Sequence, residues 1–307
     1  MTPGVCPITG ESARLVQEVS PALLRGLWRR AFRVEPTPLP SGRIGLYRSP
    51  CDLAFFAPAG EGDGAFYEAL YRRLDAGGRV RAAGRDRAEY PHAAVRIRPG
   101  DAVLEVGAGA GAFARLIPEA RYVGLDPNPA AYAAIEAEIR AESLADHAAM
   151  HEGRYDAACA FQVIEHVADP LRLATDMLRC LKPGGLLMLG APIWPSAMTA
   201  IPDFVFNAPP HHLSWWSEGA MRALADRLGL AVEALLPLAP VAAQPLIHWM
   251  GRLAPIKAPP EGPWFAPRRS WYASLAAAFL LGRAASALLP LPRHAAPIFV
   301  LLVARKP

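Results

Sequence analysis

Residues 99–236 predict an α/β fold, a mostly parallel β-sheet with helices on both faces. Three observations carry this. Short apolar runs of strand length alternate with segments of helical pattern. Gly, Pro, Asp and Ser fall where one element should end and the next begin. A glycine-rich loop, Glu105-Val106-Gly107-Ala108-Gly109-Ala110-Gly111, links the first strand of the region to its first helix.

The elements follow in order. Ala102-Val103-Leu104-Glu105-Val106 reads as a buried strand entered through the turn Arg98-Pro99-Gly100-Asp101. A short helix over Ala112 to Ile117 stops at Pro118. Tyr122 to Leu125 is a second strand ending on Asp126. Asn128-Pro129 opens a helix to about Ile139, with Pro in the first turn, where its missing N–H costs nothing. A third strand is placed near Arg140 to Leu144, and a fourth over Tyr155 to Phe161. Asp169-Pro170 caps a helix running to about Leu181. Pro183-Gly184-Gly185 turns into a fifth strand, Leu186 to Gly190. Ser217 caps a helix closed by Gly229, followed by a sixth strand, Leu230 to Leu235. The last strand is Ile298 to Ala304.

In such a sheet, ligands sit beyond the carboxyl ends of the strands. The glycines at 107, 109 and 111 let the backbone pass close beneath a ligand. The helix after them offers free N–H groups at its start. Asp126 ends strand two, where a carboxylate can accept both hydroxyls of a ribose. The pattern therefore points to a nucleoside-type cofactor. A dinucleotide remains open on the glycines alone, because Gly107-Ala108-Gly109-Ala110-Gly111-Ala112 fits that pattern as well. Two features favour S-adenosylmethionine (SAM) over NAD. Glu105, just before the glycines, suits a cationic ligand and disfavours a pyrophosphate. The polar cluster Gln162-Val163-Ile164-Glu165-His166, directly after strand four, faces the same crevice and is not needed for folding.

These segments, together with Gly124-Leu125-Asp126-Pro127, Tyr155-Asp156, Gln162 to Pro170 and Leu181-Lys182-Pro183-Gly184-Gly185, resemble the ordered motifs of class I, Rossmann-like SAM-dependent methyltransferases. The branch most similar contains ubiquinone-biosynthesis O-methyltransferases and their bacterial relatives. The resemblance covers residues 95 to 235 and the last strand. It implies a seven-stranded sheet whose last strand is antiparallel. It also implies that Glu105, Gly107, Ala108, Gly109 and Gly111 hold the methionine part of SAM and that Asp126 holds the ribose. Pro127 and the Glu142-Ser143-Leu144 turn would line the adenine, with Gln162 and Glu165 beside the cofactor.

Methyl transfer is an in-line displacement, in which the protein positions a nucleophile and, for a hydroxyl, removes a proton. The candidate bases are His166, His211 and His212. His166 belongs to the Glu-His motif, and its ordinary alternative is a structural hydrogen bond at a helix entrance. His211 and His212 lie in Pro209-Pro210-His211-His212-Leu213-Ser214-Trp215-Trp216-Ser217, a loop placed over the substrate mouth. Its ordinary alternative is a helix-entry loop packed by the Trp rings. The expected reaction is methyl transfer to a small-molecule hydroxyl. N- or C-methyl transfer, a non-catalytic SAM-binding protein and an NAD-dependent oxidoreductase are the alternatives. No metal is expected: no convergent Asp/Glu cluster of the kind Mg²⁺ requires is visible.

Residues 1–98 precede the methyltransferase-like region, residues 99–307. Relatives often carry a zinc knuckle here. This chain keeps Cys6 and Cys51, one cysteine of each pair, too few for a tetrahedral zinc site. The region is expected to act as a lid over the cofactor, with Glu89-Tyr90 leading into it. Residues 237–296 interrupt what should be a simple hairpin, far beyond the usual ~2–5 residues. Their Trp249, Trp264, Phe265, Trp271, Tyr272 and an Ala/Leu-rich helix suggest a cap on the substrate pocket, a dimer face or a peripheral membrane contact, with plain helix packing as the ordinary alternative.

Composition agrees with these readings. The chain is 52% hydrophobic and 20% charged, which suits a globular core. Only three of its 32 basic residues are lysines, and the arginines are scattered, so no nucleic-acid partner is expected. Four separated cysteines fit a reducing, cytoplasmic setting. Ala273 to Leu291 is apolar but is broken by Arg283 and Pro290, which argues against a membrane span.

Overall fold

The structure is a computed structural model that describes residues 1–74, 86–127, 137–241 and 245–307. Its main layer is a seven-stranded sheet built from β4 (Ala102–Val106), β5 (Arg121–Leu125), β6 (Ile139–Arg140), β7 (Tyr155–Phe161), β8 (Leu181–Pro192), β10 (Ala231–Leu238) and β11 (Phe299–Arg305). The strand order is β10-β11-β8-β7-β4-β5-β6. Pairings among β8, β7, β4, β5 and β6 are parallel, whereas β11 runs antiparallel to both β8 and β10. This is the seven-stranded, Rossmann-like arrangement with an antiparallel last strand expected above. All five residues of β4 are buried, as a central strand covered on both faces requires.

The caps explain why helices begin where they do. The Asp169 carboxylate accepts from the Arg172 N–H at 2.9 Å and opens α5 (Pro170–Cys180). The Ser217 hydroxyl accepts from the Ala220 N–H at 3.0 Å and opens α6 (Glu218–Arg227). Gly229 follows α6 with φ of 67°. The turn expected at Pro183-Gly184-Gly185 is absorbed into β8: the register with β7 shifts between Tyr155 and Ala157, and Gly184 takes φ of 73°.

One stretch is corrected. The strand placed at Arg140 to Leu144 is instead Ile139–Arg140, and Leu144 begins a helix, α4 (Leu144–Met150). Ser143 is the reason: its hydroxyl accepts from the Asp146 N–H at 3.1 Å, which turns the chain out of the strand. The helix expected from Asn128 to about Ile139 lies, for residues 128–136, outside the described residues, and Ile139 itself is in β6.

A second, antiparallel sheet forms from β1 (Arg14–Val19), β2 (Ile44–Arg48), β3 (Ala54–Ala57) and β9 (Ser214–Trp215), in that order. Helices α1 (Pro21–Phe32) and α2 (Gly64–Leu74) accompany it, while α3 (Glu89–Ala94) packs beside Ala112–Leu116 in the core of the large sheet. Its core joins Trp28, Phe56, Phe66, Trp194, Trp215, Trp264 and Phe265. Cys6 and Cys51 meet here with their sulfurs 3.8 Å apart, and the Thr9 N–H donates to the Cys6 Sγ at 3.4 Å. The Cys51 thiol, donating to Cys6, holds the Cys6 thiol far below its ordinary range.

The insertion between β10 and β11 contains α7 (Pro245–Leu253) and α8 (Arg269–Leu288). Gly282 permits their close approach, since a Cβ there would lie 2.8 Å from the Met250 Cγ. Trp271, Ser274, Ala278, Gly282 and Ala285 recur at helical spacing on the buried face of α8. Phe279, Leu280, Leu281 and Leu288 are exposed on the helix. By length and composition α8 could cross a membrane, with mean hydropathy 1.2. The middle of the insertion is stitched to the small sheet: the Gln17 side chain accepts from the Trp264 N–H at 2.8 Å and donates to the Phe265 carbonyl.

Candidate active site

The glycine loop hangs from the end of β5. The Gly107 and Ala108 N–H groups donate to the Leu125 carbonyl at 2.8 and 3.0 Å, and the Gly109 N–H donates to the Asp126 Oδ2 at 2.9 Å. Gly107, Gly109 and Gly111 adopt φ of 70°, 55° and 72°, the left-handed region. After Gly111 comes a five-residue 3₁₀ turn, Ala112–Leu116, shorter than the helix expected. Pro118 disfavours helical backbone at Ile117, and so ends it there.

At Gly107, space as well as φ excludes a side chain, because a Cβ would lie 2.4 Å from the Val163 Cγ2. Gly107→Ala is therefore expected to cost about 1–2 kcal/mol in backbone strain and push the loop from Val163. SAM affinity should fall about tenfold or more by calorimetry, while the protein remains folded by circular dichroism.

The two acidic positions end adjacent strands. Glu105 is 1% exposed, and the Tyr122 hydroxyl donates to its carboxylate. Burial pushes the Glu105 carboxyl up to about 7, against the opposing effects of the Tyr122 hydrogen bond and the Arg87 guanidinium. Asp126 is also buried, and Pro127 follows it at the surface. Ala108 is buried above Gly124, where a Cβ would come within 2.6 Å of the Ala108 Cβ. Glu142 and Ser143 are held locally at the entrance to α4: Glu142 Oε1 meets His147 Nδ1 at 2.7 Å, and Ser143 caps the helix.

Beyond β7 the chain turns through Gln162, whose φ is 59°. Its Nε2 donates to the Glu89 Oε1 at 2.5 Å, and its backbone N–H donates to the Gly190 carbonyl at 2.8 Å. Glu165 is 1% exposed, and among the described residues neither carboxylate oxygen has a hydrogen-bond partner. Its carbonyl accepts from the Leu213 N–H at 2.7 Å, which ties this turn to the Pro209–Ser217 loop. The His166 Nδ1 meets the His211 carbonyl at 2.6 Å and so carries the proton. The rings of His166, His211 and His212 have centroids 4.5 to 4.9 Å apart. Loop and motif, read separately in the sequence, thus form one cluster of three imidazoles.

Burial keeps these imidazoles neutral: His166 falls to about 4, and His211 and His212 fall as well. Burial conversely raises Glu165 to about 8. Several neighbours had not been singled out in the sequence. Arg87 donates to the Phe161 carbonyl and acts electrostatically on Glu89, Glu105 and Glu165. Tyr67 sets its ring 5.9 Å from His211 and 6.3 Å from His166. Glu61 accepts from the Ala168 N–H at 2.8 Å. Each is brought in by a contact between distant segments, which no local spacing signals. A void of about 10 Å³ borders His212 and is lined also by Trp194, Asn207, Ser214 and Trp215.

A parallel sheet with one reversed strand, a glycine loop under two acidic strand ends and a Glu-His turn beyond β7 define a class I SAM-dependent methyltransferase. The chain belongs to the methyltransferase-domain family, whose pattern matches residues 78–235. It is similar to an uncharacterized methyltransferase of Mycolicibacterium gilvum, 40% identical over 100 residues, which covers 30% of this chain and 39% of that protein. It is also similar to the ubiquinone biosynthesis O-methyltransferase of Xanthomonas campestris pv. campestris, 35% identical over 114 residues, covering 34% of this chain and 47% of that protein. The chain therefore spans less than half the length of these curated relatives. In fold it matches the crystal structure of a SAM-dependent methyltransferase from Archaeoglobus fulgidus, with a TM-score of 0.50 and 15% identity, over 78% of this chain and 100% of that one.

Proposed function

We propose that this protein transfers the methyl group of SAM to the hydroxyl of a small-molecule acceptor in a reducing, cytoplasmic setting. The observation that carries the cofactor half is the pairing of Glu105 and Asp126 at the carboxyl ends of β4 and β5, on either side of the positive-φ glycines. Buried Glu105 suits an ammonium, and Asp126 suits ribose hydroxyls. Bound there, SAM would supply a methyl carbon activated by its sulfonium.

The acceptor half rests on the histidine cluster. A hydroxyl placed against His166, His211 or His212 would meet neutral imidazole nitrogens, which accept its hydrogen bond and orient the oxygen. Each imidazole alone is a weak base, because burial has lowered its affinity for a proton. The relative named for ubiquinone O-methylation supports oxygen as the acceptor atom.

Calorimetry with SAM and with NAD tests the cofactor. Saturable binding of SAM and none of NAD is expected, and the reverse would reject the reading. A methyl-release assay with hydroxylated aromatic and aliphatic acceptors tests turnover. His211→Ala and His212→Ala should each slow it about 10²-fold or more while SAM binding persists. Full turnover in both variants would remove the histidines from the reaction.

A further inference from the structure

We infer that His166, His211 and His212 form a binding site for a divalent transition-metal ion, zinc being the expected occupant. The nitrogen donors of the three side chains all lie within 4.8 Å of one another. Ligands of a tetrahedral zinc, at about 2.0–2.1 Å from the ion, stand roughly 3.4 Å apart, so small side-chain rotations close the set. Neither convergent carboxylates nor paired cysteines offer a metal site in the sequence; imidazoles supply this set instead, and imidazole nitrogen suits zinc.

Three further observations point to an ion. His166 Nδ1 donates to the His211 carbonyl at 2.6 Å, leaving its Nε2 lone pair for a ligand. Metal-bound histidines are commonly oriented in this way, through a backbone carbonyl on the opposite nitrogen. The His211 Nδ1 is buried with no hydrogen-bond partner among the described residues. The Glu165 carboxylate stands 3.7 Å from the His166 Nε2, is 1% exposed, and has neither oxygen hydrogen-bonded among the described residues. Buried polar groups are rarely left so, and a cation held by the imidazoles would take the His211 Nδ1 as a ligand and offset the Glu165 charge from outside its coordination sphere. The donors are also held in place: the Leu213 N–H bonds the Glu165 carbonyl, and the Trp28, Tyr67 and Phe206 rings wall His211.

Three protein ligands leave the fourth position of a tetrahedral ion open. An acceptor hydroxyl bound there would lose its proton to solvent more readily. Its oxygen lone pair would then form the new O–C bond, while the C–S pair stays with sulfur, giving S-adenosylhomocysteine and the methyl ether. This role rests on the O-methyl transfer reading above; the binding of the ion does not.

The test uses the full chain without a histidine tag, stripped with chelator and reloaded with Zn²⁺ or Co²⁺. About one equivalent of zinc should remain after desalting, and the cobalt form should show visible d–d absorption. The His166→Ala/His211→Ala/His212→Ala variant should lose both, and His92→Ala, outside the cluster, should keep both. SAM calorimetry on the same samples shows whether the variant retains the cofactor site. If the triple variant fails to fold, His212→Gln alone should lower zinc affinity at least tenfold. Zinc retained in the folded triple variant, undiminished affinity in His212→Gln, or a reloaded wild type holding less than about a tenth of an equivalent overturns the proposal. Failure to bind SAM or release methyl groups would sink the methyltransferase reading while leaving the zinc result standing.

Discussion

Asp126→Ala is expected to weaken SAM binding by about two orders of magnitude. Two effects combine. The bound nucleoside loses its charged acceptor, and a hydrogen bond to a charged group contributes about 1.5–3 kcal/mol. The Gly109 N–H also loses the Asp126 Oδ2 that receives it at 2.9 Å, so the loop beneath the cofactor loses an anchor. Asp126→Asn separates the two, because its amide oxygen can still receive Gly109 while the charge is gone; its affinity should lie between those of wild type and alanine. Calorimetry on both variants measures this, and wild-type affinity in Asp126→Ala would remove Asp126 from the cofactor site.

The second large effect is a pH dependence centred on Glu105. Its carboxyl is raised to about 7 in the folded chain against 4.5 for an ordinary glutamate. Between those values the folded chain holds a proton that the unfolded chain has released. Stability from this group is therefore complete below about 4.5 and is lost as pH rises through about 7. At about 1.4 kcal/mol per unit, the loss is on the order of 3 kcal/mol. The buried imidazoles tilt the curve the other way, because their affinity for protons is lowered. The prediction is accordingly a difference: wild type minus Glu105→Gln, from urea unfolding at intervals between pH 4.5 and 8, should decline by about that amount. SAM opposes the decline. Its ammonium favours the ionised carboxylate, so affinity should rise with pH across the same window and binding should release a proton. A flat difference curve would mean that Glu105 titrates normally in the fold.

The central sheet was legible because its strands are bounded by residues with strong local preferences. Ala102–Val106 and Tyr155–Phe161 are apolar runs between turn formers, and Asp169, Ser217 and Gly229 mark helix ends through bonds or backbone angles that depend on one residue. The stretch after Ile139 was harder, since a two-residue strand leaves no period to read and the Ser143 cap follows within three residues. The small antiparallel sheet was less legible still. Its fourth strand, Ser214–Trp215, pairs with Ala54–Phe55 across about half the chain.

The acidic strand ends and glycines of the cofactor side could be found because they all fall within one short stretch, residues 105–126, spanning two successive strand ends. The histidine cluster could be named in its parts but not assembled. Its geometry depends on the Leu213 to Glu165 and His166 to His211 hydrogen bonds, and its electrostatics on burial and on Arg87 beside His166. None of these pairs has a spacing that local pattern reading can use.

The two-residue strand β9 has a consequence for how the molecule could be re-engineered. Ser214 and Trp215 are paired with the small sheet at Phe55 and Ala54, while Trp216 bridges to Ile193 just past the large sheet. His211 and His212 therefore sit on a splice held at both edges. Grafting a foreign N-terminal portion onto residues 99–307 would re-aim the imidazoles even with every one of those residues unchanged. In a chimera, the glycine loop would come whole from one parent, whereas the imidazole cluster would be shaped by both.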